Sequence, residues 1–204
     1  MTAGLITCGA LAREVRFLIR KYNWDAEIIG VPAVDHVFPD RIAPHVEERI
    51  QSYRDQYHPL IVVYGDCGSR GALDDVLKKY QDIQRLEGPH CYYFYAGDQF
   101  QELMDQEPGS YFLTDFMVRT FNGLIKKSMG LDRYPELAAE YFRNYRQVVF
   151  LTQTGEEKLI QKAEKIAQEL GFPLKVIQTG FGRLESELDS RLKNYQKTAS
   201  LPQK

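Results

Sequence analysis

The sequence has little of several features that identify a protein class directly. Its 204 residues contain three cysteines, which is too few for a disulfide framework and leaves at least one thiol unpaired. The formal charge is only -2, which excludes a strong overall attraction to nucleic acid or acidic membranes. The apolar stretch before Arg13 is too short for a membrane span and lacks the basic start of a signal peptide. These absences predict a cytoplasmic protein with free thiols that binds neither nucleic acid nor membranes.

Short apolar runs alternate with amphipathic stretches along the chain. The run PLIVVY (59–64) suits a strand buried on both faces, the turn GDCGSRG (65–71) ends it, and ALDDVLKKY (72–80) is typical of a helix. Repetition of this pattern predicts an α/β fold with a mostly parallel, Rossmann-like sheet flanked by helices. Because VVYGDCG and VVFLTQTGEE both place a polar turn after an apolar strand, two related halves are possible.

The size and composition are those of an ordinary globular protein. Hydrophobic residues make up 44% and charged residues 26% of the chain, enough to build a full hydrophobic core. We predict a single α/β domain over residues 1–192 and a frayed C-terminal tail over residues 193–204.

All three cysteines fall at predicted strand ends, where parallel sheets bind their ligands. Cys8 ends the first apolar run, Cys67 lies in the turn after PLIVVY, and His90-Cys91 follows the segment DIQRLEG. Thiolates and imidazole are good ligands for zinc and other thiophilic metals, so these residues form a candidate metal site. The alternative is packing, because free cysteines are often buried and no CxxC pair is present.

Three further interpretations concern the residues around these thiols. His36, just after the second predicted strand, can reach the same rim and competes with His90 as fourth ligand. Cys67, ahead of a helix, is a candidate nucleophile with a pKa lowered by the helix dipole. Asp66 can orient a histidine or a ligand amine, or can cap the turn.

An aromatic cluster and a later polar pair are candidates for lining a cofactor or substrate cavity. Tyr92, Tyr93 and Tyr95 follow the His-Cys pair, and Thr114-Asp115 follows another apolar run. The structural alternatives are a β-strand with aromatic side chains on both faces, which we favour, and a helix cap at Thr114-Asp115.

Taken together, the motifs resemble one family. They are CGAL, HVFPDRI, VVYGDCGSRGALDD, RLEGPHCYYFYAG, EPGSYFLTDFMVRTF, GLDRYPELAAEYFRNY and QTGFGRLE, which extend from about residue 4 to about residue 190. The chain is identified from them as a member of domain-of-unknown-function family 1638. The resemblance implies an association with corrinoid proteins and methyltransferases of one-carbon metabolism. It also implies that the family's motif cysteines and histidines fall on the set Cys8, His36, Cys67, His90 and Cys91.

The main hypothesis is therefore a zinc-thiolate enzyme of one-carbon or methyl transfer, acting on a small molecule. The rival hypothesis is a non-catalytic accessory protein that binds a metal or metallocofactor for a corrinoid protein or methyltransferase partner. A third hypothesis is metal-free catalysis by Cys67. Both metal hypotheses require Cys67 to lie near Cys8 and Cys91.

Overall fold

The computed structural model describes residues 2–199, with side chains as far as residue 195. The chain divides into two compact units, which are described separately below. The first contains the residues up to Cys91 and those from Arg183 onward, and the second spans Tyr92–Gly182. Each contains a parallel sheet with helices around it, so the predicted α/β fold is confirmed. Of the predicted tail, residues 200–204 lie outside the described residues.

The first unit is built on a four-stranded parallel sheet with strand order β2-β1-β3-β4. Its strands are β1 (Ala3–Cys8), β2 (Ala26–Val31), β3 (Leu60–Val63) and β4 (Gln84–Arg85). Its helices are α1 (Ala12–Tyr22), α2 (Ile42–Tyr53) and α3 (Ala72–Leu77), with 3-10 turns at Ala33–His36 and Pro39–Arg41. Every residue of β1 and β3 is buried, as the continuous apolar runs predict for central strands.

The second unit contains a three-stranded parallel sheet with strand order β5-β6-β7. Its strands are β5 (Ser110–Thr114), β6 (Gln147–Thr152) and β7 (Leu174–Gln178). Its helices are α4 (Cys91–Ala96, starting at the unit boundary), α5 (Gln99–Gln106), α6 (Asp115–Thr120), α7 (Lys126–Ser128), α8 (Leu137–Tyr141) and α9 (Glu157–Leu170). A π-helical turn, Phe121–Ile125, joins α6 to α7.

Helix α10 (Gly182–Ala199) begins at the other boundary and belongs to the first unit from Arg183 onward. Its leucines Leu184, Leu188 and Leu192 recur every fourth residue and are all buried. This spacing places one continuous apolar stripe on the core side of the helix.

Side chains of β6 alternate between two hydrophobic clusters of the second unit. Val148 and Phe150 pack with residues of α6 and α9, whereas Val149 and Leu151 pack with Leu103 of α5. The alternation follows from the two-residue period of a strand. It shows that both faces of this sheet are covered.

The aromatic segment after the His-Cys pair is a helix, so the β-strand we favoured there is wrong. Cys91 is the first residue of α4, and the strand before it ends at Arg85. Strand propensity failed here because aromatic residues tolerate either structure when tertiary packing covers them. Among the described residues, no helix is long and apolar enough to cross a membrane.

Candidate functional site

The carboxyl ends of β1 and β3 form a topological switch point in the first unit. The chain passes from β1 to β2 on one side and then returns to place β3 on the other side of β1. Open parallel sheets bind ligands at such points, because the connections diverge and leave a crevice between them. Cys8 is the last residue of β1, and Cys67 lies in the turn after β3. The two thiols therefore occupy the position that the fold favours for a ligand.

Both thiols are held in their neutral form by burial. The Cys8 sulfur accepts a hydrogen bond from the backbone N–H of Ala10 at 3.4 Å, yet burial raises the Cys8 pKa to about 11. Burial raises the pKa of Cys67 to about 12, and the nearby Cys8 sulfur adds to this rise. The prediction that the helix dipole lowers the Cys67 pKa is wrong, because α3 begins only at Ala72 and desolvation dominates.

Cys67 also has an unusual backbone conformation. Its φ of 48° lies in the left-handed region, which costs a residue other than glycine about 1 kcal/mol. Strain of this kind persists where the surrounding structure holds it, often at functional sites. Here the backbone N–H of Cys67 donates to the carbonyl oxygen of Pro89 at 2.8 Å, which fixes the turn against the segment that carries His90 and Cys91.

His36 presents a lone pair to the Cys8 sulfur. Its Nδ1 lies 3.0 Å from the carbonyl oxygen of Ala33, which can only accept, so Nδ1 carries the proton and Nε2 is the free acceptor. Nε2 lies 4.0 Å from the Cys8 sulfur. Tetrahedral zinc with ordinary bond lengths would separate these two atoms by about 3.6 Å. Burial lowers the His36 pKa, which favours the neutral, metal-binding form of the ring.

Sequence reasoning missed two residues of this cluster. Tyr64 is fully buried, and its ring stacks on that of His36 with the ring centroids 5.8 Å apart. Its hydroxyl faces the Cys8 sulfur and lowers the Cys8 pKa, but it makes no hydrogen bond of ordinary geometry among the described residues. Burial raises its pKa well above the usual range, and the charges that ionised Cys8 and Cys67 would carry raise it further. An unpaired buried hydroxyl is rare and is expected where a ligand binds. The only signal in the sequence is a tyrosine ending an otherwise aliphatic strand.

Asp35 is the second missed residue. It is 1% exposed, and its carboxylate accepts a hydrogen bond from Nδ1 of His45 at 2.8 Å. Its negative charge contributes to the raised pKa of Cys8 and favours the protonated form of His36. The signal in the sequence is a single carboxylate between the apolar residues of a loop that follows a strand.

The His90-Cys91 segment lies directly against the Cys67 turn. The backbone N–H of Cys91 hydrogen-bonds to the Cys67 sulfur. A Cβ atom at Gly65 would come within 2.9 Å of the backbone of His90, so only glycine permits this approach. Burial lowers the pKa of the His90 ring. Cys91 therefore lies beside Cys67 as the metal hypotheses require, although its position is the start of a helix rather than a strand end.

Asp66 stabilises the turn between Cys67 and α3. Its carboxylate accepts hydrogen bonds from the hydroxyl of Ser69 at 2.7 Å and from the backbone N–H groups of Arg70 and Gly71 at 3.2 and 2.8 Å. These bonds lower its pKa, even though desolvation opposes them. The contacts are those of the capping alternative, and a catalytic role for Asp66 stays a prediction.

The predicted cavity residues all belong to the second unit. The Tyr92 hydroxyl donates to the carbonyl oxygen of Phe112 at 3.3 Å, Tyr95 is 3% exposed, and Tyr93 is partly buried. Thr114 accepts the backbone N–H of Met117 at 3.4 Å and so caps α6, while Asp115 is fully buried. The contacts of Thr114 fit the helix-cap alternative, whereas the three tyrosines lie in α4 rather than in the strand we favoured. A role of these residues in binding a cofactor stays a prediction.

The cluster at the switch point is thus composed of Cys8, Asp35, His36, Tyr64 and Cys67, with His90-Cys91 adjacent. Within residues 2–199 no group of three or more histidine, cysteine, aspartate or glutamate side chains has the arrangement that holds a metal ion. Thiol sulfur and the imidazole Nε2 of His36 are donor types that thiophilic metals accept.

Comparison with known proteins gives a family and no function. No curated protein matches the chain significantly, and no solved structure does either. The family described as "Protein of unknown function (DUF1638)" matches residues 31–188. The match includes His36, Cys67, His90 and Cys91 and starts after Cys8, which is later than the resemblance predicted. Because the matched range covers well over half of the sequence, the chain belongs to the DUF1638 family of proteins of unknown function.

Proposed function

We propose that the first unit binds zinc or a similar thiophilic metal and uses it in one-carbon or methyl transfer. Cys8, Cys67 and His36 supply the ligands, and Cys91 or His90 completes the set. The proposal rests mainly on the buried thiol of Cys8 and the partly buried thiol of Cys67 at the switch point, with Nε2 of His36 4.0 Å from the Cys8 sulfur. Cys8 and Cys67 are 59 positions apart in the sequence (67 minus 8). They lie at the ends of β1 and β3, which are neighbouring parallel strands.

The local environment supports metal binding rather than metal-free thiol catalysis. A nucleophilic cysteine needs a lowered pKa, whereas burial raises the pKa of Cys8 to about 11 and of Cys67 to about 12. A bound cation reverses this balance, since a coordinating thiol loses its proton outright. The backbone carbonyl that holds Nδ1 of His36 is the type of partner that orients metal-bound histidines.

Methyl transfer is the reaction class that the family resemblance favours. A metal in this site would supply Lewis acidity and lower the pKa of a small-molecule thiol that accepts the methyl group. The Tyr64 hydroxyl is placed to donate to the Cys8 sulfur and lowers the Cys8 pKa. The methyl donor would be a methylated corrinoid, whose cobalt would keep the electron pair of the broken cobalt–carbon bond. The partner that carries or presents it would be a corrinoid protein or a methyltransferase. Cytoplasmic conditions would keep the three free cysteines reduced.

Metal content is the first test. Untagged protein is purified anaerobically, reconstituted with zinc and analysed by mass spectrometry, beside Cys8→Ala, Cys67→Ala and His36→Ala. We expect about one metal ion per chain in the native protein and none in either cysteine variant. In His36→Ala we expect the metal affinity to fall about 10- to 100-fold. His58→Ala is the matched control, because His58 packs on Tyr195 rather than near the thiols.

Cobalt(II) substitution provides a readout independent of activity. Thiolate ligation gives an intense sulfur-to-cobalt charge-transfer band, which should disappear in Cys67→Ala and persist in His58→Ala. Absence of metal after anaerobic reconstitution would refute the metal site, as would full retention of metal in both cysteine variants. A His90→Ala variant then decides whether His90 takes part.

A carrier function is favoured by one specific observation. The loop around His36 exposes apolar side chains, with Val34 and Val37 each 39% and Phe38 48% exposed. A surface of this kind beside a metal ligand suits transient contact with a partner that receives the metal or metallocofactor. Two results would favour the carrier over the enzyme. The metal-loaded protein would transfer its metal quickly to a chelator, and it would form no methylated thiol when given a methylated corrinoid and a thiol.

A further inference from the structure

Helix α1 carries a stripe of positive charge on its outer face. Arg13, Arg16 and Arg20 are all exposed, and Phe17, which is 50% exposed, lies between them. Arg16, Phe17 and Arg20 follow Arg13 by three, four and seven residues. This spacing places all four side chains on one face of the helix. Val15 and Leu18, on the opposite face, are fully buried. We call these four residues the arginine stripe.

The charges of the arginine stripe are not compensated within the chain. No hydrogen bond or ion pair joins any of the three guanidinium groups to another residue in the described part of the chain. The neighbouring Lys21, by contrast, is paired with Glu185 at 2.5 Å. Like charges three and four residues apart destabilise a helix, so the stripe has a cost to the folded chain that a partner could offset.

The outer face of α9 shows what an ordinary solvated helix looks like in the same protein. Exposed charges of both signs follow one another there, with Glu157 beside Lys158 and Glu164 beside Lys165. Mixed signs give solubility without attraction for a partner of one sign. The single sign of the arginine stripe is therefore a local feature of α1, in a chain whose formal charge is -2.

We propose that the arginine stripe is the docking surface for an acidic protein partner. Arginine and aromatic residues are the types that dominate binding energy at protein interfaces. The stripe spans about 10 Å along the helix, long enough for an acidic surface and too short to track a nucleic acid backbone. Insertion into a membrane is disfavoured because the apolar face of α1 is already used by the core.

The stripe begins next to the thiols. Cys8 ends β1, the backbone carbonyl of Cys8 accepts the N–H of Leu11, and Arg13 lies in the first turn of α1. A partner bound along the stripe is thereby placed beside the switch point. The proposal stands without the metal site, and its test uses metal-free protein, so failure of one does not entail failure of the other.

The probe is a synthetic helical peptide with glutamates along one face and a central leucine. Its binding to metal-free protein is measured by fluorescence anisotropy over a series of salt concentrations. Arg16→Glu combined with Arg20→Glu should weaken binding at least about tenfold and flatten the salt dependence. Phe17→Ser should weaken binding about threefold without changing the salt dependence. Lys158→Glu with Lys165→Glu, the same charge change on α9, should leave binding unchanged.

Several results would overturn the proposal. The first is that the native protein does not bind the peptide. The second is that the α9 control substitutions weaken peptide binding as much as the α1 substitutions do. The third is that the native protein binds another polyanion more tightly than the peptide. The last is tested with a single-stranded oligonucleotide and with vesicles containing phosphatidylserine. All the substituted side chains are exposed, so we expect every variant to keep its fold. Circular dichroism of each variant checks this.

Discussion

The two units place polar groups at the same position, the carboxyl ends of adjacent parallel strands, and use them in opposite ways. In the second unit, Asp115 after β5 accepts hydrogen bonds from the side chain of Thr152, the backbone of Gln153 and both the backbone and side chain of Thr154, at 2.6 to 3.1 Å. In the first unit, Cys8 and Cys67 are held as neutral thiols, and the buried Tyr64 hydroxyl beside them makes no hydrogen bond of ordinary geometry among the described residues.

This difference separates a structural polar cluster from a candidate binding site. Buried polar groups that satisfy one another fix the ends of two strands and leave nothing for a ligand. Buried groups without partners have a cost in the folded state, which a ligand can remove. The two units therefore share an architecture and differ in the chemistry at their strand ends.

Removing Asp115 should have the largest effect. Asp115→Ala leaves its donors unpaired in a buried position and separates Arg119 from a carboxylate 3.5 Å away, so we expect a loss of about 3–5 kcal/mol in unfolding free energy. Urea unfolding followed by far-ultraviolet circular dichroism measures this loss. The exposed Asp132→Ala is the control and should change stability by less than about 0.5 kcal/mol. A similarly small change at Asp115 would contradict the structural assignment.

The comparison also predicts a difference between two buried hydroxyls. Thr152 donates to Asp115 at 2.9 Å and accepts the N–H of Gly155 at 3.0 Å, so Thr152→Val should cost about 1–3 kcal/mol. Tyr64→Phe removes a hydroxyl that faces only the weakly accepting sulfur of Cys8 and should leave the stability of the metal-free protein nearly unchanged.

Urea unfolding of both hydroxyl variants tests this pair. Trp24, the one tryptophan of the chain, lies in the first unit and reports on Tyr64→Phe by fluorescence. A destabilisation by Tyr64→Phe as large as that by Thr152→Val would show that the Tyr64 hydroxyl has a structural partner. Weakened metal binding in Tyr64→Phe, at unchanged stability, would support its place in the site.

The last prediction is a dependence of stability on alkaline pH, which has no effect at neutral pH and develops only above about pH 9. Folding raises the pKa of Cys8 from 9.0 to about 11 and that of Cys67 from 9.0 to about 12. Above pH 9 the unfolded chain loses thiol protons that the folded chain retains, so unfolding free energy should fall by roughly 1 kcal/mol per pH unit for each thiol. The stabilisation is fully present below pH 9 and is lost as the pH rises through the folded values.

Urea midpoints of metal-free protein at a series of pH values, compared with those of the Cys8→Ala and Cys67→Ala variants, check this dependence. Each variant should show a shallower decline, because one raised pKa is gone. Cys91→Ala is the matched control for a general effect of alkali. Identical slopes in the native protein and both variants would show that the two thiols ionise freely in the folded state.

Local sequence signals predicted most of the fold. The apolar runs ending at Cys8, Val63 and Thr152 are buried parallel strands, and Gly171, with φ 79°, ends α9 as its position after the periodic stretch indicates. The prediction failed at α4, where four consecutive aromatic residues suggested a strand with aromatic side chains on both faces. Short aromatic segments have no decisive period, and packing decides between helix and strand.

The candidate site could be predicted only in part. The positions of Cys8 and Cys67 followed from the rule that ligands collect at strand carboxyl ends, and the approach of His36 followed from its loop. Tyr64 was missed because a tyrosine at the end of a buried strand is usually core. Its missing hydrogen-bond partner is a property of the surrounding atoms, which no sequence pattern encodes.

The sequence by itself determined the parallel α/β architecture, the free thiols and their placement at strand ends, since these follow from hydrophobic period, cysteine count and glycine turns. Only the tertiary structure decided the ionisation of those thiols, the tautomer of His36 and the contrast between Tyr64 and Asp115. The physical reason is that a pKa or an unpaired polar group depends on desolvation and neighbours brought together from distant positions, and those distances are set by folding.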